Sequence, residues 1–150
     1  MAIDRNLAVA HAWIGVAVFL AGRNEETERH VLEALRISPR DTRAYGWMYF
    51  VGAAKLAAGR DEEAVVWLNR SIELHRNWPL PHLWLAAALA RLDRLEEARD
   101  AARAGLELNP GFTIARLRSS AFSDNPVYLA GRERVYEGMG KAGLPESEAT

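Results

Sequence analysis

The chain contains no cysteine. Disulfides and thiolate metal ligands are therefore excluded, and the composition suits a reducing cytoplasm. It has no excess of either charge: nineteen basic residues stand against twenty acidic ones, for a net charge of −1. Its charges alternate in sign (Arg91, Asp93, Arg94, Glu96, Glu97, Arg99, Asp100), so no basic stripe is offered to nucleic acid or anionic lipid. Long apolar runs are scarce too. The segment LAVAHAWIGVAVFLAG, at 7–22, contains His11 and falls short of the roughly 20 residues that span a bilayer. The preceding MAIDRN lacks the net positive charge of a secretory leader. Alternating β-branched runs are missing, so no strands are expected.

What the chain does have, it repeats. GRNEETERHVLEALRISP (22–39), GRDEEAVVWLNRSIEL (59–74) and DRLEEARDAARAGLELNP (93–110) share a turn, an acidic pair and a helical stretch. Taking Gly22, Gly59 and Asp93 as turn residues, the second and third are 34 positions apart and the first and second 37. A small residue stands seven before each turn: Gly15, Gly52 and Ala86. Five after it come Thr27, Ala64 and Ala98, and twelve after it Ala34, Ser71 and Gly105. Small side chains recurring at matched helical places let two backbones approach closely. Glycine inside a helix costs about 1 kcal/mol against alanine, so Gly15 and Gly52 need a packing reason.

Periodicity and punctuation predict six helices. They run over about 7–21, 24–37 capped by Asn24, 42–58 capped by Asp41, 61–75 capped by Asp61, 81–92 opening on Pro81, and 95–108. Short linkers make neighbours antiparallel, and three hairpins stack because each covers the apolar face of the next.

This pattern resembles the tetratricopeptide repeat, whose 34-residue unit carries small residues at these offsets and a terminal proline, as at Pro39 and Pro110. The resemblance covers residues 8 to 110. It implies an all-α right-handed superhelix with repeats at 8–41, 42–78 and 79–112. The chain departs from the family where aromatic positions read His11, Met48 or His82, and Val18, Lys55 or Leu89.

Residues 1–7 read as the tail of a preceding repeat, which implies a longer parent polypeptide. At the other end, SDNP supplies a cap and a first-turn proline for a closing helix that stops at Gly143. Residues 113–143 should cap the stack, and 144–150 should be a disordered tail. NPGFTIARLR followed by NPVYLAGRERVYEGMGKAGLPE resembles the C-terminal end of bacterial class III adenylate/guanylate cyclases carrying tetratricopeptide repeats. RNLAVAHAWIG, EALRISPRD and LPHLWLAAALARLDRLEEAR are similar to the same group. The resemblance implies a parent making cyclic AMP from ATP with Mg²⁺ on an N-terminal catalytic domain. None of that domain is here, so no catalytic residue, cofactor or metal is expected on this chain.

Direct searches for chemistry return structure instead. GMGKAG (138–143) lacks the first glycine and the hydroxyl of a phosphate loop, and reads as a helix end. His11, His30, His75 and His82 are not spaced as helical metal ligands; His11 and His82 are expected as packed, hydrogen-bonded imidazoles. The pairs Glu25–Glu26, Glu62–Glu63 and Glu96–Glu97 recur at helix starts, where carboxylates favour the dipole.

Opposite the small residues lies an aromatic column of Trp13, Phe50 and Trp84. Val16, Leu20, Tyr49, Ala53, Ala57, Ala87 and Arg91 accompany it. Two readings stand: a concave groove that grips a protein or peptide partner, or rings packed between neighbouring helices. Lys55 and Arg91 would add charge for an acidic partner in the first. With the preceding unit missing, the first helix is expected to keep an apolar face that self-associates as an artefact of truncation. A homodimerisation module is an alternative reading of the chain.

Overall fold

The computed structural model describes residues 2–148, with side chains from residue 5. The described residues form eight helices and no strand: α1 (Ala2–Leu20), α2 (Asn24–Ile37), α3 (Ala44–Ala57), α4 (Asp61–Leu74), α5 (Pro79–Arg91), α6 (Leu95–Leu108), α7 (Ile114–Ser119) and α8 (Pro126–Lys141). The fold is all-α. No helix is long and apolar enough to cross a membrane among these residues.

The turn residues read from sequence share one conformation. Gly22, Gly59 and Asp93 have φ of 80°, 79° and 59°, in the left-handed region where a side chain is strained. Each turn reverses the chain into a hairpin: α1 packs on α2, α3 on α4 and α5 on α6. The pairing is antiparallel. Near the start of α3, the Tyr45 carbonyl accepts a hydrogen bond from Ser71 Oγ at 2.7 Å, late in α4. Further along α3, Gly52 abuts Leu68, which lies earlier in α4.

The small positions lie at these contacts, and all nine are buried. A Cβ on Gly52 would stand 2.7 Å from Leu68 Cγ, and one on Gly105 would stand 2.5 Å from Leu83 Cδ2. Thr27 Oγ1 donates to the Gly15 carbonyl at 3.1 Å, tying α2 to α1 through its side chain. Successive hairpins then pack through α2 on α3 and α4 on α5.

Several boundaries differ from the sequence reading. Helix α1 starts at Ala2, so residues 2–6 continue its helix, and α5 starts at Pro79 rather than Pro81. Asn24 and Asp61 are first helical residues, not caps; the caps are Arg23, Arg60 and Arg94, with no side-chain cap bond. Each arginine instead pairs with the glutamate three residues on: Arg23 with Glu26, Arg60 with Glu63 and Arg94 with Glu97. Residues 144–146 are ordered, contrary to expectation. Leu144 is buried, and the Pro145 and Glu146 carbonyls accept from the amides of Ile114 and Ala115. Residues 149–150, also placed in that tail, lie outside the described residues.

Asp41 is not a helix cap either. Its shielded carboxylate accepts from the Arg43 amide at 2.9 Å and pairs with the guanidinium groups of Arg43 and Arg5. Burial opposes its charge, but those donors prevail and hold its pKa below the ordinary 3.8. A depressed folded-state pKa stabilises above the unfolded value, and the contribution disappears as pH falls through the folded one. Denaturant unfolding should therefore weaken below about pH 4, and Asp41→Asn should flatten that decline. An unchanged slope would remove Asp41 from the explanation.

Candidate functional site

The face of α3 and α5 that carries Ala53, Ala57, Trp84 and Ala87 is covered by the chain itself. Helix α8 crosses α3 and α5 there. Asn125 caps it, accepting from the Val127 and Tyr128 amides, and Pro126 opens it. Ahead of the cap, Ser123 Oγ donates to the Leu20 carbonyl at 2.7 Å, and Tyr128 meets Phe19 edge-on at 5.4 Å. Tyr128, Gly131, Arg132, Val135, Tyr136, Gly138 and Met139 form the buried stripe of α8, with helical spacing. Its two buried glycines, seven apart, permit close contact: a Cβ on Gly131 would stand 2.6 Å from Ala57 Cβ, and one on Gly138 would stand 2.7 Å from the Ala87 carbonyl oxygen. At the far end Lys141 pairs with Asp93.

This helix corrects much of the expected groove. Ala53, Ala57, Trp84 and Ala87 are buried beneath or beside it, and Tyr49 is buried as well. Trp84, only 1% exposed, meets Tyr49 edge-on at 5.7 Å and lies under the Arg132 guanidinium. Arg132 is buried and pairs with no carboxylate among the described residues. It donates to the Tyr136 hydroxyl at 2.8 Å and the Leu117 carbonyl at 2.7 Å, amid the rings of Trp84, Tyr128 and Tyr136. Burial pushes the Tyr49 hydroxyl well above the ordinary tyrosine value, although the nearby Arg132 charge opposes that shift.

The expected cations are also engaged internally. Lys55 is buried and reaches Glu28 at 2.6 Å and Glu63 at 3.4 Å, bridging α3 to α2 and α4. Burial disfavours its ammonium, yet the two carboxylates outweigh that and raise its pKa. Arg91 pairs with Asp61 at 3.1 Å, joining α5 to α4. Neither is a free charge for a partner.

What stays open is the α1 end. Trp13 is 66% exposed, and Val16, Leu20 and Phe50 are half-buried. Between α1 and α3 lies a cavity of about 370 Å³, walled by Val9, Trp13, Val16, Trp47, Phe50 and Trp78. Trp47, Tyr45 and Trp78 escaped the sequence reading. Tyr45 lies edge-on to Trp78 at 5.4 Å and stacks on His75 at 4.5 Å, so a linker tryptophan closes the cavity. The repeat offsets gave no hint of it, because Trp78 stands between units. Arg43 lines one end, and Arg5 reaches the same Asp41. Two guanidinium groups thus share one shielded carboxylate beside an apolar wall.

His82 Nε2–H donates to the Arg76 carbonyl at 2.9 Å, as expected of a packed ring. His11 differs, since its buried Nδ1 has no hydrogen-bond partner. Among the described residues, no group of three or more metal-ligating side chains comes together.

No model of a known protein family matches the chain, and no curated protein matches it in sequence.

Proposed function

We propose that this chain is a non-catalytic protein-interaction module built from three tetratricopeptide-type hairpins in a right-handed superhelix. The reading draws on the 34-residue recurrence of turns and on glycines packed against leucines at two of the three hairpin contacts. The observation that carries the functional part is the aromatic cavity between α1 and α3, with Trp13 exposed on its rim. Rigid aromatic walls with few polar groups suit the apolar anchor of a peptide. The excess of guanidinium over carboxylate at one end suits an acidic residue beside that anchor. Helix α8 confines recognition to the first two hairpins.

The parentage we propose is the C-terminal region of a cytoplasmic class III cyclase, with ATP and Mg²⁺ handled on a separate catalytic domain. A tetratricopeptide scaffold of another parent, such as a transcriptional regulator, is compatible with the same cavity. Peptides selected from a displayed library against this chain should carry an aromatic or aliphatic residue next to an acidic one. Trp13→Ala should weaken them at least tenfold, roughly 1.4 kcal/mol, read by fluorescence polarisation. Equal affinity for the variant would place recognition elsewhere.

A further inference from the structure

From Leu7 onward, helix α1 carries apolar residues all round, His11 apart. Ala8, Ala12, Gly15 and Phe19 face the hairpin and are buried. The opposite side carries Leu7, Ala10, Ile14 and Ala17, all exposed, with Leu7 at 50% and Ile14 at 45%. A helix apolar all round is normally covered all round. The outer stripe also has its own period. Its residues alternate in steps of three and four, the heptad seam by which one helix packs along another.

We infer that α1 is the seam of a symmetric antiparallel dimer in which the same helix of a second copy covers this stripe. The argument is one of register. Large and small residues alternate along the seam, so a parallel copy would set Ile14 against Ile14 and Ala10 against Ala10. An antiparallel copy centred near Ala12 sets Leu7 of one chain opposite Ala17 of the other, and Ala10 opposite Ile14. Both pairings set a large side chain against a small one, so the seam from Leu7 to Ala17 is self-complementary under a two-fold axis. Asn6, His11, Trp13, Val18 and Leu20 flank it, and none is a carboxylate or guanidinium, so no like charges oppose the approach. Trp13 lies at the flank nearest the axis and meets its own copy there, which gives its exposed ring an apolar neighbour.

Leu7 to Ala17 spans about 15 Å of helix, a strip below the roughly 800 Å² per partner of a standard interface. The dimer is therefore expected to dissociate at about micromolar concentration rather than be permanent. This inference shares Trp13 with the peptide-cavity reading, but Leu7, Ile14 and Ala17 lie outside the cavity wall, so substitutions there test the dimer separately.

Sedimentation from about 1 µM to 1 mM, a range spanning the affinities of weak and moderate complexes, should show monomer passing to a closed dimer. Ile14→Glu, and separately Ala17→Glu, should shift the midpoint at least tenfold upward with unchanged helicity, because both sites are exposed. The cysteine-free chain allows a register test. Leu7→Cys with Ala17→Cys should oxidise to a covalent dimer, whereas Ala17→Cys alone should not, its copies lying about 15 Å apart along the axis. Monomer mass throughout, open-ended growth, dimerisation indifferent to Ile14→Glu, or cross-linking by Ala17→Cys alone as readily as by the pair would each overturn the inference.

Discussion

Trp84→Ala should lower the unfolding free energy by about 3–5 kcal/mol, the range for deleting a large buried aromatic. Trp84 is 1% exposed at the junction of three helices: its own α5, Tyr49 of α3 and Arg132 of α8. Truncation removes apolar burial, leaves a void that the packed alanines around it cannot fill, and strips one aromatic wall from an already buried guanidinium. The indole N–H softens the loss slightly, since it has no hydrogen-bond partner to forfeit. Denaturant titration measures the effect. A loss below about 1 kcal/mol would mean that the ring behaves as a surface group rather than as core.

Gly52→Leu should cost about 1–3 kcal/mol or more, through overpacking. The first added carbon alone would stand 2.7 and 2.8 Å from two atoms of Leu68 and 3.3 Å from its backbone nitrogen. Leu68 is fully buried, so it has no free volume to retreat into. The cost should appear as separation of α3 from α4, because α3 is held on its other sides by α2 and α8.

Much of this was legible in the sequence because it is local. A turn that needs φ > 0 favours glycine, and the three turn residues recur with the same partners before and after them. Hairpin contacts require small side chains at fixed offsets, and those offsets repeat. The fate of the aromatic column was not legible. Trp13, Phe50 and Trp84 hold the same place in their units, yet one is exposed, one half-buried and one core. The difference is made by α8, which arrives from more than forty residues beyond Trp84 and packs most extensively on α5, less on α3 and hardly on α1. A signal for its docking existed: Gly131 and Gly138 stand seven apart in a helix, the spacing already seen between Ala64 and Ser71 and between Ala98 and Gly105. Gly138, within GMGKAG, read only as part of a helix end, and Gly131 drew no reading. Lys55 and Arg91 misled for a related reason, since periodicity gives the face of a helix but not the carboxylates that a neighbouring hairpin brings to it.

The most direct test makes one substitution twice in one helix. Gly46 and Gly52 both lie in α3, but a Cβ on Gly46 meets nothing within 4 Å. Thermal and denaturant unfolding of Gly46→Ala and Gly52→Ala should move in opposite directions. The first should gain up to about 1 kcal/mol from helix propensity. The second should lose stability, because its methyl group forces Leu68 and the α3–α4 contact apart. If both variants gained alike, close approach at the recurring small positions would not be what holds the hairpins together.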